Sequence, residues 1–186
     1  MDKIIMSVLG EDRPGIIAAI TRILYQQNCR IENVSQVVLQ SKFSGIFIIC
    51  MPGDLSVDSL NLQIKLGLSE MNVQVHIKKF NPLENQYKFP VQTIPFVITA
   101  WGHNDQDGQV SGITEVIAQH GVNINKFKAM LQAGPNELEN IMIFEVDIPV
   151  NIDFSLFKTL LLERAECLDL SLSIQHAQVI HAIHSL

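Results

Sequence analysis

The sequence has few of the features that mark nucleic-acid-binding or membrane proteins. Of its 186 residues, 13 are Lys or Arg and 19 are Asp or Glu, which gives a formal net charge of −6. The basic residues are scattered, with Lys78-Lys79 as the one adjacent pair, so the chain has no basic stripe for a phosphate backbone. No apolar run reaches the roughly 20 residues that span a bilayer. We therefore expect neither direct nucleic-acid binding nor membrane insertion.

Cysteine and aromatic residues are also scarce. The three cysteines, Cys29, Cys50 and Cys167, lie far apart, which is typical of reduced thiols in a cytoplasmic protein and not of a disulfide framework. The N-terminus runs straight into an apolar segment without a signal-peptide pattern, so we expect a cytoplasmic location. Trp101 is the only tryptophan, and we expect it to pack in the core. An RNA-binding sheet would carry more aromatic residues on its central strands.

Groups with catalytic or metal-binding spacing are missing as well. Cys29 falls at the end of a predicted helix, where the second half of the chain has Val122, which favours a small buried side chain over a nucleophile. His176, His181 and His184 have no cysteine or carboxylate at ligand spacing. We therefore expect a protein that is not an enzyme and that has no metal ion and no cofactor.

The most informative stretch that is present is Gly10-Glu11-Asp12-Arg13-Pro14-Gly15. It lies between an apolar strand pattern and an amphipathic helix pattern. Asp12 is predicted to cap the helix, Pro14 to fit its first turn and Gly15 to let another molecule approach the backbone. A helix N-terminus of this kind suits a carboxylate or a phosphate. A plain strand-to-helix turn is the alternative.

The chain repeats this turn. The segment from Trp101 to Gly108 resembles it with one extra residue, and Val122-Asn123-Ile124 corresponds to Cys29-Arg30-Ile31. A period of about 90 residues indicates a duplicated small domain.

Each half predicts the same order of elements, βαββαβ. In the first half the patterns predict strands over 3–9, 31–40, 46–51 and 73–77, a turn over 41–45, and helices over 15–27 and from 57 to 71. In the second half they predict strands over 95–101, 122–132, 139–148 and 168–174, a turn over 133–136, and helices over 108–120 and from 154. This order predicts an α+β fold of two ferredoxin-like domains, each an antiparallel sheet with helices on one face. We expect domains at 1–80 and 94–177, a linker at 81–93 and a tail at 178–186.

The third strands of the two halves differ. The strand at 139–148 alternates apolar residues with Glu145 and Asp147, as in a sheet with one wet face. The strand at 46–51 is apolar on both faces. We expect its outer face to be covered by a partner protein or a second copy.

These motifs resemble ACT domains, the small amino-acid-sensing modules of metabolic regulation. The resemblance rests on Asp12-Arg13-Pro14-Gly15, Arg30-Ile31-Glu32-Asn33 and Gly121-Val122-Asn123-Ile124. Two such domains without a catalytic domain resemble the glycine cleavage system transcriptional repressor family.

The resemblance implies a ligand site where two domains meet, with the first turn of one domain facing the start of the second strand of the other. One such site would join the first turn to the second half, and it comprises Asp12, Pro14, Gly15, Ile16, Asn123 and Ile124. The reciprocal site comprises His103, Asn104, Asp107, Gly108 and Arg30. Because Arg30 replaces the frequent asparagine and the second turn is longer, we expect the site with Asn123 to bind more tightly.

The resemblance therefore predicts a regulatory protein that binds a small amino acid, with glycine and serine as first choices. The ligand would change how the protein engages a partner, a transcription factor or a metabolic enzyme, and we expect a homo-oligomer. The alternative is a ligand-free scaffold in which the domains serve only for dimerisation.

Overall fold

The structure is a computed structural model that describes residues 2–81, 92–103, 107–133 and 138–178. Its contacts divide the chain into two compact units, Met1–Tyr87 and Lys88–Leu186. Each unit contains a four-stranded antiparallel sheet and its own apolar core.

The first unit has the predicted βαββαβ order. Its sheet order is β2-β3-β1-β4, so the first and third strands are central. A short 3₁₀ turn, Ser69–Met71, separates the second helix from the last strand. The elements are β1 (Asp2–Glu11), α1 (Ile16–Gln26), β2 (Arg30–Leu39), β3 (Lys42–Met51), α2 (Val57–Gly67) and β4 (Val73–Lys79).

The second unit repeats the first, with sheet order β6-β7-β5-β8. The predicted class, two ferredoxin-like domains with antiparallel sheets, is thereby confirmed. Among the described residues, no helix has the length and apolar character that a membrane crossing requires. The elements are β5 (Thr93–His103), α3 (Gln109–Gln119), β6 (Asn123–Ala133), β7 (Leu138–Pro149), α4 (Phe154–Glu166) and β8 (Ser171–His176).

Two local predictions are wrong. The turn predicted at 41–45 is a two-residue turn at Gln40 and Ser41, whose φ angles are 45° and 63°, and β3 begins immediately at Lys42. Consecutive positive φ angles match the twist of a hairpin, so the ladder continues up to the turn. Leu168 and Leu170 are not in the last strand, because Asp169 adopts a φ of 54° and the strand begins at Ser171. The turn predicted at 133–136, the linker and the tail lie mostly outside the described residues.

The apolar core of each unit lies between the helices and one face of the sheet. Alternate residues of each central strand point into it, as the period of two requires. Burying one large aliphatic or aromatic side chain stabilises a fold by about 1.5–3 kcal/mol. Fully buried examples in the first unit are Ile4, Met6, Ile20, Phe47, Ile49 and Leu60, and in the second unit Ile98, Ile113, Ile117, Phe144, Phe157 and Leu161.

Helices α1 and α2 pack against one face of the first sheet, and α3 and α4 against one face of the second, so these four helices leave the opposite faces uncovered. In the first unit Ile5 lies opposite Ile48, and Ile46, which lies two residues before Ile48 on the same face of β3, is 49% exposed. The expected cover of this apolar face stays a prediction. In the second unit Trp101 is 43% exposed on the open face, so its predicted core position is wrong. The strand alternation turns Ala100 into the core and Trp101 away from it.

Candidate functional site

The first turn is built differently from its sequence-based prediction. Gly15 is the N-cap of α1, with φ 102° and ψ −12°, and no side chain caps the helix. Asp12 instead anchors the turn through its backbone, whose N–H donates to the Ser41 carbonyl oxygen over 2.8 Å. Because the helix begins at Ile16, Pro14 precedes the N-cap and does not lie in the first helical turn. The predicted capping role of Asp12 and the predicted position of Pro14 are therefore wrong.

Helices α1 and α3, which follow the first and second glycine turns, lack the side-chain caps that α2 and α4 have. Ser56 Oγ accepts from the Ser59 N–H over 3.1 Å at α2, and Asp153 Oδ1 accepts from the Leu156 N–H over 3.0 Å at α4. At α1 and α3 the N-cap is a left-handed glycine without a side-chain acceptor. Since the first N–H groups of a helix have no intrahelical partner, those of α1 stay available to a ligand.

A cavity of about 410 Å³ opens at the N-terminus of α1. The turn contributes Asp12, Arg13 and Gly15 to its lining, and the first helical turn contributes the segment 16–18. Gln36 from β2 and Phe43 from β3 complete the wall. The available N–H groups of α1 therefore face a defined cavity of small-molecule size.

Charged side chains at the rim hold the turn in place. Arg13 Nη1 donates to the Glu70 carbonyl oxygen over 3.1 Å, and its Nη2 lies 3.6 Å from Glu11 Oε2. Lys42 Nζ lies 3.6 Å from the other oxygen of Glu11. These side chains are two-fifths or more exposed, so the ion pairs add little stability and serve mainly to orient Arg13. Within the described residues the Asp12 carboxylate has no hydrogen bond or ion pair.

The cavity therefore combines two complementary charges. Its lining includes the N-terminus of α1, with its N–H groups and the positive end of the helix dipole, and also the acidic residue Asp12. The N–H groups and the dipole suit a carboxylate, and Asp12 suits an ammonium group. A carboxylate and an ammonium group together make the head group of an amino acid.

Of the residues predicted for this site, the cavity includes Asp12, Gly15 and Ile16 in its lining, whereas Pro14 contributes only to the turn. Sequence reasoning missed Gln36 and Phe43. They reach the site because the β2–β3 hairpin pairs Gln36 with Gly45 and ends next to the turn. No local motif signals that pairing.

The second turn has a different interior. Gly108 is the left-handed N-cap of α3, with φ 92°, and Asp107 precedes it. The first helical residue, Gln109, is 1% exposed and donates from Nε2 to the Leu168 carbonyl oxygen over 3.2 Å. Asn140 Nδ2 donates to Gln109 Oε1 over 2.9 Å. His103 is the last residue of β5, and Asn104 lies outside the described residues.

The remaining predicted site residues lie at strand starts. Asn123 and Ile124 begin β6, and Asn123 Nδ2 donates to Asn125 Oδ1 over 2.6 Å. Arg30 begins β2, six residues before Gln36, and therefore lies far along the strand from the first turn. The association of each turn with a strand of the other unit stays a prediction.

The ionisable groups outside the turns do not suit catalysis. Burial raises the pKa of the Cys29 thiol, which makes that thiol a poor nucleophile at neutral pH. The hydrogen bond between Lys3 and Glu32 raises the pKa of Lys3 and lowers that of Glu32. In the part of the chain that the structure describes, no three His, Cys, Asp or Glu residues are grouped so as to hold a metal ion.

Comparison with protein families gives a match over the first unit. Residues 2–78 match the family model of the ACT domain. The chain is 33% identical over 79 residues to a UPF0237 protein from Methanopyrus kandleri, which is 42% of this chain and 88% of that protein. It is 32% identical over 88 residues to a UPF0237 protein from Pyrobaculum aerophilum, which is 45% of this chain and 98% of that protein.

Two solved structures share the fold of both units. A protein of unknown function from Galdieria sulphuraria has a TM-score of 0.77 and 18% identity, covering 95% of this chain and 98% of its own. A candidate glycine cleavage system transcriptional repressor has a TM-score of 0.70 and 15% identity, covering 94% of this chain and 96% of its own. At these identities the likeness concerns the fold alone.

Proposed function

The chain belongs to the ACT-domain family, and we propose that it is a regulatory protein that binds a small amino acid at its first turn. Glycine and serine are the first choices for the ligand. Binding would change how the protein engages a protein partner, and catalysis has no part in this role. The observation that carries the proposal is the N-terminus of α1, which has no side-chain cap and borders a cavity whose lining also includes Asp12.

Each charged group of an amino acid has a counterpart in this cavity. The α-carboxylate would accept from the N–H groups of α1, where the helix dipole adds to the attraction. The ammonium group would donate to Asp12. Asn123 and Ile124 would complete the site from the second unit, and the weaker reciprocal site would join Asp107 and Gly108 to Arg30.

The partner that we propose is a transcriptional regulator of amino-acid metabolism or a metabolic enzyme. A net charge of −6 disfavours direct contact with DNA, so regulation would pass through protein contacts in the cytoplasm. Similarity of fold to a candidate glycine cleavage system transcriptional repressor supports this proposal. We further propose that the protein forms a homo-oligomer. Within each chain we propose domains at 1–80 and 94–177.

A second candidate function is a ligand-free dimerisation scaffold. Strand β2 is an edge strand of ten residues, and Leu39 on it is 71% exposed. A long apolar edge of this kind favours pairing with another chain. This candidate needs no ligand at the first turn.

A thermal-shift screen of the full chain against the twenty common amino acids distinguishes the two functions. A ligand at about a hundred times its dissociation constant stabilises the native state by roughly 2.7 kcal/mol. We expect a shift with one or a few small amino acids. No shift with any of them at millimolar concentration would contradict the sensor and favour the scaffold.

A further inference from the structure

The wall of the cavity opposite α1 has one polar side chain. On β2 the residues that share the face of Gln36 are Val34 and Val38, because successive side chains of a strand alternate between its faces. Gln36 is therefore a polar residue in an otherwise apolar row, and it occupies the position that lines the cavity. Gln36 is exposed, and within the described residues its amide has no hydrogen-bond partner from the protein, so both its N–H₂ and its carbonyl are accessible to a ligand.

Strand β3 has a glycine, Gly45, at the position that pairs with Gln36. Gln36 pairs with Gly45, and a Cβ at Gly45 would lie 2.9 Å from Phe43 Cζ and 3.1 Å from Phe47 Cε2. The glycine thus lets the two rings close over the strand, and the ring of Phe43 lines the cavity. The corresponding pair in the second unit is Ala129 opposite Met142, so the combination is particular to the first unit.

The charged groups of the cavity are already committed. Asp12 is the counterpart of the ligand's ammonium group under the proposed function, and Arg13 is turned toward Glu70 and Glu11. A charged ligand side chain would therefore be partly desolvated without a counter-ion. A neutral side chain would meet the ring of Phe43 and the amide of Gln36.

We propose that Gln36 determines the specificity of this site by selecting neutral amino acids whose side chains carry a hydroxyl or an amide. The inference rests on the proposed function, since it concerns the side chain of the same amino-acid ligand. Because Gln36 is exposed to water in the free protein, a bound apolar side chain that covers its amide would leave that amide unpaired, which disfavours the isostere without a polar group. Apolar amino acids of the same shape therefore bind more weakly.

The test compares isosteric ligands by calorimetric titration of the full chain. Threonine is paired with valine, asparagine with leucine, and glycine is included as the ligand without a side chain. We expect the polar member of at least one pair to bind about 10-fold more tightly than its apolar partner. Gln36→Leu should abolish this preference, and Gln63→Leu, an exposed glutamine on α2, should retain it.

The outcomes separate the inference from the function on which it rests. If valine and leucine bind at least as tightly as their polar partners, Gln36 does not determine specificity, although amino-acid binding stands. If Gln36→Leu keeps the wild-type preference, the inference is also overturned. If none of the five ligands gives heat, the inference is overturned, whereas the amino-acid sensor is contradicted only if serine and the other amino acids of the thermal-shift screen also fail to bind. The wild-type comparison requires no variant and so does not depend on how Gln36→Leu folds.

Discussion

Gln109 and Asn140 share a hydrogen bond of 2.9 Å in the interior of the second unit, at the place where the first unit has Ile16 and Phe43. Ile16 and Gln109 are the first residues of equivalent helices, and all four side chains are buried. The amide pair ties the start of α3 to the end of α4, since Gln109 also donates to the Leu168 carbonyl oxygen. In the first unit the corresponding link is made by Arg13 at the rim, which leaves an apolar floor under the turn.

Breaking the amide pair should destabilise the second unit. Gln109→Ala removes the acceptor of Asn140 Nδ2 and the donor to Leu168, and we expect a loss of about 1–3 kcal/mol in the free energy of unfolding. Urea unfolding monitored by the fluorescence of Trp101, which lies in this unit, measures it. The double variant Gln109→Ile with Asn140→Phe should cost less than the sum of its single variants, because both partners become apolar. An additive double variant would show that the pair is not coupled.

The left-handed glycine of the first turn should be required for ligand binding. Gly15→Ala places a Cβ at a φ of 102°, which costs about 1–2 kcal/mol, and it disturbs the N–H groups that face the cavity. We expect calorimetric affinity for the amino acid found in the screen to fall at least 10-fold. Gly108→Ala imposes a similar strain at the second turn, with φ 92°, and serves as the control that retains the first site. Equal loss in both variants would contradict a site at the first turn.

The two proposed sites should differ in affinity. Asn123→Ala removes an acceptor for the ammonium group and should weaken the tighter site by about 1–3 kcal/mol. Arg30→Asn removes a cation that repels the ammonium and should strengthen the weaker site. Calorimetric titration measures both, with Asn33→Ala, an exposed asparagine on β2, as the control. Two equal sites in the wild type, or an unchanged Asn123→Ala, would argue against a composite site.

The Lys3–Glu32 ion pair predicts a dependence of stability on pH. The hydrogen bond from Lys3 lowers the pKa of Glu32 from the ordinary 4.5. The stability that Glu32 contributes is therefore present above pH 4.5 and is lost as the pH falls through the lowered pKa. Because the pKa of Lys3 is raised above the ordinary 10.5, the stability that Lys3 contributes is lost only as the pH rises above 10.5. The pair is exposed, and the effect should be small.

Urea unfolding between pH 3 and pH 7 tests this dependence. The stability difference between wild type and Lys3→Met should shrink as the pH falls below 4.5, because protonated Glu32 no longer attracts Lys3. Lys65→Met, at the end of α2, removes a lysine without an ion pair in the described residues and should show no such change. A Lys3→Met difference that is constant across this range would rule out the contribution of the pair.

The order of elements and the duplication follow from patterns between neighbouring residues. The period of two in β7 and the helical spacing from Ile16 to Leu24 need no knowledge of distant contacts, because they arise from the geometry of a single strand or helix. The sequence alone therefore determined the βαββαβ order, the antiparallel sheets and the position of the two glycine turns.

Only the tertiary structure decided which side chains meet at the first turn. Gln36 and Phe43 reach the cavity because the Gln40–Ser41 turn sets the register of the β2–β3 hairpin, and a shift by one residue would place the opposite face there. Asp12 is left free for a ligand because Gly15, in the left-handed region, takes the N-cap position. Trp101 is exposed because its strand turns Ala100 inward. Register and backbone conformation depend on packing between distant segments, which no short motif encodes.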